Sequence, residues 1–267
     1  MEKGDLQTLI VLLQERKWEE LEEELKRNSN LPGQMANLLY AETFREAVLE
    51  ADNTDEIFTR LKHWLAITPE QAPGNEPLFF LPMTAGIALS SIYQNAKEDR
   101  EEVLALYRDI MVDKRWRMRE SVVIGMQHIA AEYWQELLPY MEAIRQEQND
   151  LMDRALIAML AHPPFMEIPD MVQYALSYSK ELLQRLELRG KPATAEEKEN
   201  QTVLEKGLSY AISLFVLGSP QEGFAMFRTF LGSDHKVIKR ILKSNLKKNR
   251  LQKAYPKECE ELLARIG

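Results

Sequence analysis

Nine basic side chains and no acidic one fall between residues 236 and 257. Lys236, Lys239, Arg240, Lys243, Lys247 and Arg250 recur at helical spacing, with Lys248 beside them. Val237, Ile238, Ile241, Leu242 and Leu246 populate the opposite side. The pattern predicts a helix that docks by its apolar face and presents a row of cations on the other. Such a row neutralises successive phosphates of a nucleic acid without reading sequence, in a salt-sensitive way. It also reads as a solvated face, or as an internal match to the acidic remainder of the chain. That remainder is strongly acidic. Net charge is -8 from 34 basic and 42 acidic residues, and outside this segment 25 basic residues face 42 acidic ones, a balance of -17. The asymmetry points to DNA, RNA or an acidic protein as the partner.

A second knot is Arg115, Trp116, Arg117 and Arg119. Arginine beside tryptophan suits stacking on a base or sugar. Arg119 also lies six residues after Asp113, within reach of the turn that Asp113 opens. We therefore expect Asp113 and Arg119 to form a structural ladder, with Trp116 in the core. Arg115 and Arg117 remain as surface binding candidates.

Other chemistry finds no pattern. His63, His128, His162 and His235 are scattered, with no His-Glu-x-x-His or Cys-x-x-Cys arrangement, so no metal site is expected. No glycine-rich phosphate loop or Gly-x-Ser-x-Gly elbow occurs, and no cofactor is implied. Cys259 is the only cysteine, which excludes an internal disulfide and fits a reducing compartment. The polar start Met1-Glu2-Lys3-Gly4-Asp5 does not read as a signal peptide. The longest apolar run, Leu78 to Ile92, holds Pro82, Thr84, Gly86, Ser90 and Ser91 and is too short and polar to span a bilayer. The expectation is a cytoplasmic protein with no membrane contact. Oligomeric state is left open.

The elements that must carry these residues are helical. Met118, Val122, Met126 and Ile129 lay one apolar stripe along a helix, and Asp113 just ahead can cap it. The layout recurs. A shift of 34 residues places Val103, Leu104, Ile110, Asp113, Met118, Val122 and Met126 on Leu137, Leu138, Ile144, Glu147, Met152, Leu156 and Leu160. A shift of 121 places Val103, Leu106, Ile110, Asp113 and Arg119 on Phe224, Phe227, Leu231, Asp234 and Arg240. A period in the thirties is the mark of stacked helical pairs.

Glu136-Leu137-Leu138-Pro139-Tyr140-Met141 resembles the first helix of a HEAT repeat with its proline, and Asp113 to Met126 resembles the turn and second helix. The resemblance implies an all-α fold, a right-handed α-α superhelix of the HEAT-like or armadillo type. It covers residues 101–161 and 220–250. On this reading residues 1–31 are an N-terminal cap, 34–161 and 165–250 are helical pairs, and 256–267 form a terminal helix. Leu38, Leu39, Phe44, Val48, Ile57, Phe58, Leu61 and Leu65 are core candidates. Thr68–Pro82 is expected as a loop whose Leu78–Leu81 patch plugs a gap, and 189–200 as an exposed connection. Asp234 and Arg240 should repeat the Asp113 and Arg119 ladder.

Trp116-x-x-Arg119 with the basic segment Lys236–Lys257 also resembles the AlkD-type DNA alkylation repair family, all-helical glycosylases that cradle DNA. Arg119 matches that family's catalytic arginine, while its Trp-Trp-x-x-x-Asp element has no counterpart here. Three functions follow as expectations: a non-enzymatic binding module, an alkylpurine DNA glycosylase, and a protein-binding scaffold.

Overall fold

The computed structural model describes residues 3–266. Every regular element among them is helical: fourteen α-helices and three short 3-10 turns, with no strand. The chain divides into two compact units, Met1–Tyr140 and Met141–Gly267.

The first unit holds α1 (Lys3–Gln14), α2 (Trp18–Arg27), α3 (Leu38–Glu50), α4 (Thr54–Leu65), α5 (Phe80–Asn95), α6 (Arg100–Met111) and the start of α7 (Trp116–Glu147). Its hub is α5, which packs against α3, α4 and α6. Every residue from Phe80 to Tyr93 is buried. A helix apolar all round has no solvated face to offer, so it must sit inside the unit. Small residues on this helix and on α7 let neighbours come close. A Cβ on Gly86 would meet Ser121 Oγ at 2.3 Å, and one on Gly125 would meet Tyr107 Oη at 2.1 Å. The apolar patch expected in a loop instead ends a 3-10 turn, Pro77–Phe79, and opens this helix. Pro82 falls in the first turn, where a missing N–H leaves no helical bond unmade.

One further expectation is corrected here. Leu38 and Leu39 are exposed rather than core, because α3 starts at Leu38 and buries the face of Tyr40, Ala41, Phe44 and Val48. The Asn37 side chain caps this start, accepting from the Tyr40 N–H at 3.2 Å. α7 is interrupted at Tyr133, whose φ of -121° and ψ of 34° are non-helical. Met118, Val122, Met126 and Ile129 are buried, as the stripe requires.

The second unit continues with α8 (Asp150–Leu160), α9 (Pro169–Leu188), α10 (Ala195–Gly218), α11 (Pro220–Thr229), α12 (Lys236–Leu246), α13 (Asn249–Ala254) and α14 (Pro256–Ile266). Here α10 is the hub, packing against α8, α9, α11 and α12. Leu156 and Leu160 are buried on α8. Beside them Asp153 is fully buried, where Tyr178 Oη donates to it at 2.5 Å and Arg185 pairs with it. Burial raises its pKa despite those partners. Among the described residues no helix is long and apolar enough to cross a membrane.

Candidate functional site

The second unit carries the site, and α10 is its long wall. Thr194 caps this helix, its hydroxyl accepting from the Glu197 N–H at 3.1 Å. Glu197 reaches back and accepts from the Ala193 N–H at 2.7 Å, a reciprocal arrangement that satisfies donors at the helix start. The segment around 196–200, expected as an exposed connection, is therefore the first turn of a helix. The correction has a functional consequence. Lys198, Thr202, Lys206 and Tyr210 now fall at i, i+4, i+8 and i+12, on one face of α10, and all four are exposed.

The buried residue Asn245 locks α12 against that helix. Its Oδ1 accepts from the Ser213 N–H at 2.8 Å, and its Nδ2 donates to the carbonyls of Leu208 and Ile241, each at 2.9 Å. Ser244 Oγ adds a bond to the Ser209 carbonyl at 3.1 Å. A buried amide with all these partners resists sliding of one helix past the other. Ile238, Ile241, Leu242 and Leu246 complete the buried face of α12.

Between α10, α12 and the connection before α10 lies a groove of about 810 Å³. Lys191, Lys198, Lys206, Arg240 and Lys248 line it, against one acid, Glu205. Glu205 is buried at 6% exposure and pairs with Arg240 while accepting from Gln201 Nε2 at 2.7 Å. That carboxylate therefore holds Arg240 in place, and four lysines are left to set the sign of the groove. At the far end Tyr210 is 51% exposed. The Arg250 guanidinium lies 4.7 Å from its ring centre and the Lys248 ammonium 5.4 Å. Cations over an aromatic face are attracted to its quadrupole.

The structure thus sorts the predicted cations. Arg240 and Lys248 line the groove, and Arg250 closes its aromatic end. Lys236, Lys239 and Lys243 lie on the neighbouring face of α12, and Lys247 just past its end, outside the groove wall. Lys191, Lys198, Lys206 and Tyr210 were missed. The signal was present: Thr194 followed by Glu197 is a capping-box pattern that extends α10 through Lys198.

The Arg-Trp knot of the first unit is built differently. Asp113 Oδ1 accepts from the Arg115 N–H at 2.7 Å, so it closes the turn just ahead of α7 and, contrary to expectation, caps no N–H of the helix itself. Arg115, expected at the surface, is only 7% exposed. Its guanidinium pairs with the Asp113 carboxylate at 2.7 Å and donates to the carbonyls of Ile67 and Ala72 at 3.0 and 3.2 Å. Arg117 donates to the carbonyls of Gly74, Gly33 and Gln34, at 2.6, 3.1 and 3.0 Å. Arg119 donates to the carbonyls of Asp113 and Lys114, at 2.5 and 3.2 Å. Arg119 thus reaches the backbone carbonyl of Asp113, and it is Arg115 that takes the Asp113 carboxylate. Trp116, expected in the core, is 55% exposed and carries the Arg117 guanidinium 4.7 Å from its ring centre.

The second expected ladder is also corrected. The Asp234 side chain is solvated and lies 3.8 Å from Lys239, while Arg240 pairs with Glu205. At that turn Ser233 Oγ, not Asp234, accepts a backbone bond, from His235 N–H at 3.2 Å.

Among the described residues no group of three or more His, Cys, Asp or Glu side chains is placed to hold a metal ion. No protein-family model, curated protein or solved structure matches the chain.

Proposed function

We propose that the protein is a non-enzymatic, HEAT-like helical-repeat module that binds nucleic acid in the groove between α10 and α12. The observation that carries this reading is the groove itself. Five cations converge on it from α10, α12 and the connections before α10 and after α12, its single acid is already paired, and an exposed aromatic ring stands at its end. Phosphates supply the complementary charge, and each neutralised phosphate releases condensed counterions. The chain's overall charge of -8 opposes approach of a polyanion. At physiological salt, however, fields fade over about 8 Å, so the local sign decides.

The glycosylase alternative draws less support. It rests on Arg119, whose guanidinium is engaged by two carbonyls of the turn before α7. The scaffold alternative has an observation of its own. In the first unit Met35, Leu38, Met83, Ile87, Trp116 and Ile124 line an apolar hollow of about 280 Å³, and Met35 is 74% exposed. Solvated apolar side chains gathered around a hollow suit a peptide.

Titration of labelled DNA and RNA oligonucleotides against the protein over a range of salt concentrations tests the main reading. Binding is expected to weaken linearly in log–log form as salt rises. Absence of salt-dependent binding removes nucleic acid and leaves the apolar hollow as the better surface.

A further inference from the structure

We infer that the groove takes single-stranded rather than duplex nucleic acid, with an unpaired base stacked at Tyr210. The inference rests on the nucleic-acid reading above and concerns what Tyr210 adds to it. Tyrosine contributes no positive charge, so phosphate neutralisation gives it no role. Its position does. Tyr210 continues the line of Lys198, Thr202 and Lys206 along α10, so a backbone tracking the lysines arrives at the ring. The ring is 51% exposed although it is large and apolar over most of its surface. The Arg250 guanidinium stands 4.7 Å from the ring centre, and guanidinium planes are themselves stacking surfaces for bases. Lys248, 5.4 Å from the same centre, offers a cation to the phosphate flanking a stacked base.

Strandedness follows from what a duplex can present. In a double helix each base face is covered by its neighbours, so only phosphates and groove edges reach a protein surface. A side-chain ring can use a π-face only where a base is unstacked, as in single strands, loops and ends. The attraction is tolerant of sequence because every base has such a face. Asn245 pins α12 to α10 three residues from Tyr210, where its Oδ1 accepts from Ser213 N–H, and α13, which carries Arg250 and follows Lys248, packs on α10 as well, so the ring and its cations keep their spacing.

The test compares three polyanions on the full chain: oligothymidylate, the same strand annealed to its complement, and inorganic polyphosphate. Wild type is expected to bind the single strand more tightly than the duplex at equal salt. Tyr210→Ala should weaken oligothymidylate binding about tenfold more than it weakens polyphosphate binding, the loss of one stacked base. Tyr210→Phe, which keeps the ring, should restore most of that loss. An equal effect of Tyr210→Ala on both polyanions, or duplex binding as tight as single-strand binding, overturns the inference while leaving the nucleic-acid reading intact. Failure of wild type to bind any of the three overturns both. Circular dichroism melts of the variants, expected to match wild type, show that lost affinity is not lost folding.

Discussion

The two compact units use their cations in opposite ways. Residues 1–140 hold 15 basic and 25 acidic side chains, and residues 141–267 hold 19 and 17. In the first unit Arg115, Arg117 and Arg119 turn towards backbone carbonyls. In the second, Lys191, Lys198, Lys206 and Lys248 line an open groove. Residue type explains much of the contrast. Guanidinium offers five donors in a fixed fork and is weakly hydrated, so it can satisfy several carbonyls of an irregular segment such as 66–76. Ammonium is a strongly hydrated point charge that stays in water. A basic cluster rich in arginine beside a proline-rich loop is thus as consistent with a staple as with a ligand site.

Breaking the staple should have the largest effect. Arg115→Ala leaves the Asp113 carboxylate, 15% exposed, without its partner and strips two loop carbonyls of their donor. Urea unfolding should show a loss of about 3–5 kcal/mol. Arg115→Lys should recover only part of it, because one ammonium cannot reproduce the fork. A wild-type urea midpoint for Arg115→Ala would contradict the structural role.

The groove side of the comparison predicts the reverse: lost binding with an unchanged melt. Reversing Lys198, Lys206 and Lys248 to glutamate should weaken single-strand binding on the order of a hundredfold, and each phosphate no longer neutralised should flatten the log–log salt slope by about 0.7. Reversing Lys239, Lys243 and Lys247, which lie outside the groove wall, should cost less. Equal losses in a filter-binding comparison would move the ligand onto the exposed face of α12.

Smaller effects sharpen the contrast within the first unit. Burial pulls the Glu42 carboxyl upward, but the hydrogen bond and charge of His128, together with Arg45, outweigh it and leave it below its ordinary value of 4.5. The carboxylate is 2.9 Å from His128 Nε2 and 3.1 Å from Arg45 Nε. Because the folded value lies below the unfolded one, this contribution is complete above pH 4.5 and is lost as pH falls through the folded value. With about a third of both Glu42 and His128 solvated, it is worth about 0.5–1 kcal/mol. Thermal melts of Glu42→Gln should sit below wild type near neutral pH and converge with it in acid. Smallest of all, Asp234→Ala should shift stability by less than about 0.5 kcal/mol, since its side chain is solvated and caps nothing. A cost matching that of Asp113→Ala would restore the equivalence of the two turns.

The sequence by itself determined the helical class, the terminal helix and the buried stripe of Met118, Val122, Met126, Leu156 and Leu160. It also determined the apolar side of α12. These follow from a period repeated over neighbouring residues, and burial acts on that period directly. That Asp113 shapes the turn ahead of α7 was legible for the same reason, since its hydrogen-bond partner, the Arg115 N–H, lies two residues away. Tertiary structure alone decided which cations line the groove. Arg115 finds carbonyls 48 and 43 residues away, and Arg117 finds one at a distance of 84. Lys198 and Lys206 meet Arg240 and Lys248 only because Asn245 docks α12 on α10. A charged side chain reads the same in sequence whether its neighbour is water, a carbonyl or a carboxylate. The difference is made by segments brought together from far along the chain, where desolvation decides whether the charge turns inward or stays in solvent.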